Sequence, residues 1–132
     1  MGQIKGNYES EVHGLDNLLL GQNVFESAKL KLAAGASVAD GGVVVRDTDG
    51  NFIPATAANI ATNAPAILVE RDGVTNGGAA EGTYPVRVCI GGRVKLSLVK
   101  VGEDELTDAQ CDNLRDYGIY AVDMVNAGEV EQ

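Results

Sequence analysis

The sequence of 132 residues has no tryptophan, only six aromatic residues, one histidine and two cysteines. Two cysteines are too few for a disulfide-rich scaffold. The histidine, His13, has no evident partner that would orient it as a general base. A sugar-binding barrel would need clustered aromatic side chains, whereas these are dispersed. We therefore predict no catalytic residue, no metal site and no cofactor, and do not expect an enzyme.

Basic residues are also scarce, since ten Lys and Arg oppose nineteen Asp and Glu and leave a net charge of −9. Nucleic acids and anionic membranes are both bound through clustered Lys and Arg. No apolar run approaches the roughly 18 residues that span a bilayer, and the first residues lack the apolar stretch of a signal peptide. We therefore expect neither nucleic acid nor a membrane as a partner, and we expect a cytosolic or cytosol-assembled protein.

The negative charge is concentrated near the end of the chain. Residues 103–132 contain nine acids and a single base, Arg115. Such a segment is consistent with a solvated, solubilising surface or with a surface that meets a basic partner. The sequence leaves both interpretations open.

Glycine, in contrast, is abundant at 17 residues, and the apolar residues are mostly small or β-branched. This composition favours short strands joined by tight turns. Residues 55–64 are predicted to form a loop with a short helical turn, and residues 72–82 a flexible loop. Strands are predicted at residues 29–32, 43–46, 52–54, 66–70, 84–90, 93–99 and 119–125.

Two of the predicted turns depend on glycine. Asp49 and Gly50 are the predicted structural turn residues of a hairpin, because an Asp-Gly pair can supply the positive φ angles of a type I′ turn. Gly91-Gly92 is predicted to join residues 84–90 and 93–99 in a second hairpin.

One segment has the signals of a helix. Thr107 and Gln110 have the spacing of a capping box, and Gly118 lies where a helix would end. Leu114 and Tyr117 are spaced to lie on the same face. We therefore predict one helix near the C-terminus.

The predicted organisation is an extended N-terminal arm at residues 1–25, one β-rich domain at residues 26–126 and a polar tail at residues 127–132. The arm contains the apolar cluster Leu18-Leu19-Leu20. These leucines could bind a partner or could pack on the parent domain. Removal of residues 1–25 is expected to leave the fold intact.

Three blocks of glycine, proline and apolar residues are notable for their order and spacing between residues 26 and 125. The blocks are Leu32-Ala33-Ala34-Gly35 through Val43-Val44-Val45-Arg46-Asp47 to Asp49-Gly50-Asn51-Phe52-Ile53-Pro54, then Pro65-Ala66-Ile67-Leu68-Val69-Glu70-Arg71-Asp72, and then Val86-Arg87-Val88-Cys89-Ile90-Gly91-Gly92-Arg93-Val94. In these blocks the chain resembles the head decoration (capsid cement) proteins of lambda-type tailed phages. It differs from the lambda type in lacking tryptophan and in its C-terminal segment.

The resemblance implies a mainly β (α+β) fold, a small β-barrel or β-tulip-like domain with one C-terminal helix and an extended arm. It also implies a homotrimer on the exterior of the expanded head, assembled in the host cytoplasm. The major capsid protein would be its partner, and the trimer would stabilise the head against DNA pressure. The alternatives are a tail-tube or spike subunit and a small ligand-binding barrel. The arm residues that the resemblance suggests as capsid contacts are Leu18, Leu19, Leu20, Val24 and Phe25.

Overall fold

A computed structural model describes residues 18–123 of the chain. Ten strands and one α-helix follow one another in this part, together with two short 3₁₀ turns, at Asn59–Ala61 and Leu96–Leu98. The elements are β1 (Leu19–Leu32), β2 (Ser37–Val38), β3 (Val43–Arg46), β4 (Phe52–Pro54), β5 (Pro65–Leu68), β6 (Val74–Thr75), β7 (Gly82–Lys95), β8 (Lys100–Val101), β9 (Asp104–Glu105), α1 (Asp108–Arg115) and β10 (Ile119–Val122).

Five of the strands close into a barrel in the order β1-β4-β3-β5-β7, and β7 pairs back to β1. The pairings are antiparallel except between β1 and β4, which run parallel. Strand β10 lies outside the barrel and runs parallel to the last residues of β7. The small, mainly β barrel with one helix is therefore confirmed.

The barrel encloses an inner core. Along the strands every second side chain points inward, as the two-residue period of a strand requires. The guanidinium of Arg46 lies 4.5 Å from the centroid of the Phe52 ring of this core and 2.9 Å from Glu26 Oε1. The buried inner core consists of Leu30, Leu32, Val38, Val44, Phe52, Ala66, Leu68, Val86 and Val88.

A second, outer core lies against the outside of the barrel wall. Helix α1, strand β10 and the 3₁₀ turn at Asn59–Ala61 cover it and contribute Leu114, Ile119 and Ile60. Strand β3 explains why three consecutive valines are buried: Val44 faces the inner core, whereas Val43 and Val45 face the outer one. The remaining buried members of the outer core are Leu18, Ala55, Ile67, Cys89, Val94, Val99 and Val101.

The hairpin between β3 and β4 is confirmed, but its predicted type is wrong. Arg46 pairs with Phe52, and the Gly50 N–H donates to the Asp47 carbonyl at 3.3 Å. Of Asp49 and Gly50, the central residues of the predicted turn, only Gly50 has a positive φ, of 86°. A type I′ turn needs a positive φ at Asp49 as well, so this is a type I turn followed by a glycine bulge. The Asp47 side chain stabilises it, since its Oδ1 accepts from the N–H groups of Asp49 and Asn51.

The predicted hairpin at Gly91-Gly92 is wrong, because β7 runs through both glycines without turning. Instead, these glycines lie where strand β1 approaches β7, and the register between the two strands shifts at this point. A Cβ on Gly92 would lie 2.5 Å from the Gln22 carbonyl oxygen, and Gly92 has a φ of 107°. The missing side chain thus serves a close approach between strands and not a turn.

The predicted boundary between arm and domain at residue 25 is also wrong. Strand β1 begins at Leu19 and pairs with β7 along its whole length, from Leu19–Val94 to Leu32–Gly82. A bulge at Gly21 and Gln22 interrupts the alternation of inward and outward side chains. For this reason the apolar residues of the segment do not follow the two-residue period of a regular strand. Residues 1–17 of the predicted arm, with His13, lie outside the described residues. So do residues 124–132, which include the predicted tail and the end of the predicted last strand.

The remaining local predictions are mostly confirmed. The capping box of α1 is present, and Gly118 has a φ of 82° just after the helix. Tyr117, which was predicted to share the face of Leu114, is 51% exposed. The segment at residues 72–82 is not simply a loop, since β6 pairs with β2 there and the buried Asn76 amide donates to two backbone carbonyls.

Candidate docking surface

The five predicted capsid-contact residues have different environments. Leu18 is buried in the outer core, and Leu19 and Phe25 are partly buried against it. Leu20 is half-buried. Val24 is 53% exposed and is the only one of the five that presents most of its side chain to solvent. The two interpretations left open for the leucines are thus resolved for Leu18, which packs on its own domain.

The backbone at Gly118 comes close to the exposed side chain of Val24 across Gly91. A Cβ on Gly91 would lie 3.7 Å from Val24 Cβ and 3.8 Å from the Gly118 carbonyl oxygen, so both flank this glycine. Tyr117 immediately precedes Gly118, and Tyr120 follows it two residues later and is 47% exposed. We call the group Val24, Arg93, Tyr117 and Tyr120 the docking surface.

Strand register explains how this surface is built. Tyr120 pairs with Arg93, so both side chains leave the same face of the sheet, and both are exposed. On the opposite face Val94 and Ala121 pack into the outer core. The outer core therefore packs against one face of this part of the sheet, and Arg93 and Tyr120 lie on the opposite face.

A bulge in β1 fixes the position of Val24. Gln22 has a φ of 57°, which a residue with a side chain rarely adopts. The neighbouring Asn23 stabilises this conformation: its Oδ1 accepts from the Gly21 N–H at 2.9 Å and its Nδ2 donates to the Arg93 carbonyl at 3.0 Å. A strained backbone held by several hydrogen bonds is a rigid support for the residue that follows.

The docking surface lies next to the acidic part of the chain. Seven acids occur at residues 103–123, and all of them are exposed. Glu105 and Asp112 form ion pairs: Lys100 Nζ lies 3.8 Å from Glu105 Oε2, and Arg115 Nη1 lies 3.6 Å from Asp112 Oδ1. Asp116 precedes Tyr117 in the chain, whereas Arg93 pairs with Tyr120 and Lys95 with Val122, so charges of both signs lie beside the docking surface.

The other polar clusters in the described part stabilise the fold through hydrogen bonds to the backbone. Asp40 Oδ1 accepts from the Glu70 N–H at 3.0 Å, and Glu70 Oε2 accepts from the Arg87 N–H at 2.9 Å. Partial burial raises the pKa of the Asp40 carboxyl, and the nearby charges of Glu70 and Asp72 raise it further against the lowering effect of its backbone hydrogen bonds. In residues 18–123 no group of three or more His, Cys, Asp or Glu side chains is arranged to hold a metal ion.

A groove of about 510 Å³ runs between residues 55–57 and residues 101–107. Its polar lining includes Thr107 and Gln110, but these bond to each other's backbone in the capping box. Burial raises the pKa of the nearby Cys111 thiol, as do the charges of Asp108 and Asp112, and this disfavours a reactive thiolate. Neither the groove nor the thiol offers an evident nucleophile with its base.

No protein-family model matches the chain, and no curated protein matches it either. No helix in residues 18–123 is long and apolar enough to cross a membrane. The docking surface was only partly predictable: Val24 was selected, while Arg93, Tyr117 and Tyr120 were missed. The alternation of the predicted strand at residues 119–125 places Tyr120 on the face opposite Ile119 and Ala121, and this pattern is the signal that could have identified Tyr120.

Proposed function

We propose that the chain is a capsid decoration protein that binds the exterior of an expanded phage head as a homotrimer and stabilises the head against internal DNA pressure. Its partners are then the major capsid protein and two further copies of itself. The observation that carries the proposal is the docking surface, an apolar group on a rigid sheet in a domain whose described polar groups mostly serve its own fold. The resemblance of residues 26–125 to lambda-type decoration proteins supports it further.

The two ends of the described chain lie close together. The Leu18 carbonyl accepts from the Lys95 N–H at 2.8 Å. Lys95 also pairs with Val122 in β10. Leu18 and Val122 therefore lie at one end of the sheet that carries the docking surface. An arm that orders on a lattice from this end would add its own contacts to those of the surface.

A trimer is consistent with the composition of the domain. With six aromatic residues in the whole chain, the two cores are built mainly from valine, leucine and isoleucine. Closed cyclic association would bury further apolar surface. Light scattering over a wide concentration range tests this part, and a monomer of about 14 kDa throughout would count against a stable free trimer.

The decisive experiment is mass spectrometry of purified particles from the source strain, with copy number measured against the major capsid protein. Near one-to-one abundance is expected for a decoration protein. A few copies per particle would favour a tail-tube or spike subunit. Absence from particles would favour a soluble binding module and overturn the proposal.

A further inference from the structure

We infer that Asn76-Gly77 is a deamidation site that the folded domain protects, so that Asn76 is modified only in chains in which this segment has opened. The pair is the only Asn-Gly in the sequence. Three features are needed: a reactive pair of residues, a folded structure that blocks the reaction, and a product that cannot restore the block. This chemistry does not depend on the proposed function.

The reactivity of the pair comes from its glycine. The backbone nitrogen of Gly77 attacks Cγ of Asn76, and the new C–N bond closes a succinimide ring. The bond from Cγ to Nδ2 breaks, and this nitrogen leaves as ammonia with the proton that Gly77 loses. Water then opens the ring and leaves aspartate or isoaspartate at position 76. Glycine favours the attack, because it has no Cβ in the way and adopts backbone angles that other residues avoid.

Three hydrogen bonds fix the side chain of Asn76 in the folded domain. Nδ2 donates to the carbonyls of Leu32 at 3.0 Å and Ala80 at 2.9 Å, and Oδ1 accepts from the Gly78 N–H at 2.9 Å. The two donated bonds use both N–H groups of the amide. Asn76 is only 1% exposed, so water has little access to the nitrogen that must leave. Loss of ammonia therefore requires that these buried bonds break first.

The backbone of Asn76 is held at the same place. Its N–H donates to the Ala36 carbonyl at 2.9 Å, and its carbonyl accepts from the Gly35 N–H at 2.9 Å. These bonds extend the short pairing of β2 with β6, which contains only two residues of each strand. The residues that follow, 77–81, are exposed. A short pairing beside an exposed loop is typical of a segment that opens before the core does.

The product of the reaction cannot close the segment again. An aspartate at position 76 has a carboxylate oxygen where Nδ2 was, and this oxygen would face the carbonyls of Leu32 and Ala80 without a proton to donate. Burying such a charge without donors is unfavourable. Isoaspartate also lengthens the backbone by one methylene and displaces the pairing with Gly35 and Ala36. A chain that has opened and reacted therefore carries a permanent modification.

The test compares the rate of deamidation in folded and unfolded chains. The full chain is incubated at mildly alkaline pH, with and without guanidinium chloride above its unfolding transition, and is then digested with trypsin. Cleavage after Arg71 and Arg87 releases residues 72–87, in which Asn76 is the only side-chain amide. A mass gain that corresponds to replacement of NH₂ by OH therefore assigns the site. Gly77→Ala is the matched control, because the added Cβ has no neighbour within 4 Å in the folded domain but hinders the attack.

We expect the wild type to deamidate about tenfold or more faster unfolded than folded, and Gly77→Ala to react slowly in both states. Asn76→Asp, which reproduces one product, should melt at a lower temperature than the wild type or not fold at all. Equal rates in folded and unfolded wild type would overturn the inference, as would an unfolded wild type no faster than Gly77→Ala. An Asn76→Asp chain as stable as the wild type would show that the segment closes again after the reaction, and would overturn that part.

Discussion

The inner and outer cores share the same barrel wall, but they draw their side chains from different parts of the chain. The inner core is built between Leu30 and Val88, from strands that follow one another in sequence. The outer core adds Leu18 from the start of the described chain and Leu114 and Ile119 from near its end. It is therefore complete only when both ends have docked on the barrel. Contacts so distant in sequence cost more loop-closure entropy than those of the inner core.

This difference has a consequence for function, because the docking surface lies on the outer core. Val24, Tyr117 and Tyr120 are carried by the same end segments that complete the outer core. A perturbation of the outer core should therefore remove binding and stability together. A perturbation of the inner core side should change stability and leave the docking surface in place.

The largest expected effect is that of a truncation. Removing residues 1–25 takes away the first part of β1, including Leu18, Leu19 and Phe25 from the outer core. A fully buried side chain of this size contributes about 1.5–3 kcal/mol, and a partly buried one less. Because the pairing of this part of β1 with β7 is lost as well, we expect most of a typical domain stability of about 5–15 kcal/mol to be lost. The sequence alone predicts the opposite, an intact fold. Urea denaturation followed by circular dichroism decides between them.

The matched truncation removes only residues 1–17 and keeps every described residue. It is expected to unfold cooperatively at a much higher urea concentration than the chain that begins at residue 26. If both truncated chains unfold at the wild-type midpoint, Leu18 and the first residues of β1 do not contribute to the core as described.

The second effect concerns the close approach of strands β1 and β7 at Gly92. Gly92→Ala would place a Cβ 2.5 Å from the Gln22 carbonyl oxygen at a φ of 107°. Strain and overlap together should lower the free energy of unfolding by about 3 kcal/mol or more. Gly91→Ala is the control, because its Cβ would make an ordinary contact of 3.7 Å with Val24 and should cost less than about 1 kcal/mol. Equal melting temperatures for the two variants would contradict the close approach of β1.

The segments near Gly92 show what could and could not be predicted from the sequence. Strand β3, the first part of β7 and the capping box of α1 have local signals, namely alternation and spacing, and all were predicted. Gly92 resembles a turn residue because a turn and a close strand approach both need the absence of a Cβ. Only the neighbouring strand distinguishes the two, and the residue that approaches Gly92, Gln22, is 70 residues away in the chain.

The candidate site had the same difficulty. Val24, Gly91 and Gly118 are neighbours in space but lie far apart in sequence. The spacing of Tyr117 from Leu114 suggested a shared helical face, whereas the helix ends at Arg115 and the tyrosine is exposed. A surface assembled by register between distant strands leaves no pattern within any one segment.

A smaller effect is expected at the hairpin beside the inner core. Gly50 has a φ of 86° and open space around it, so Gly50→Val adds backbone strain without a clash. This strain should cost about 1–2 kcal/mol, while Gly50→Asn, which tolerates this conformation better, should cost less. Shell binding should be unchanged in both, because no residue of the hairpin belongs to the docking surface. A melting temperature for Gly50→Val equal to that of the wild type would contradict the described turn.

The smallest effect should depend on pH. Burial and neighbouring acids raise the pKa of the Asp40 carboxyl above its ordinary value of 3.8. The folded state thus favours the protonated form, and this contribution to stability is complete below the ordinary pKa and is lost as the pH rises through the folded one. Asp40→Asn keeps the oxygen that accepts from the Glu70 N–H and remains neutral. The variant should therefore melt slightly above the wild type at pH 7, with the difference shrinking as the pH is lowered towards 3. The effect should be small because Asp40 is largely exposed. Thermal melts across this range measure it, and a variant that is less stable at pH 7 would mean that the charged carboxylate stabilises the Glu70 N–H by more than its desolvation costs.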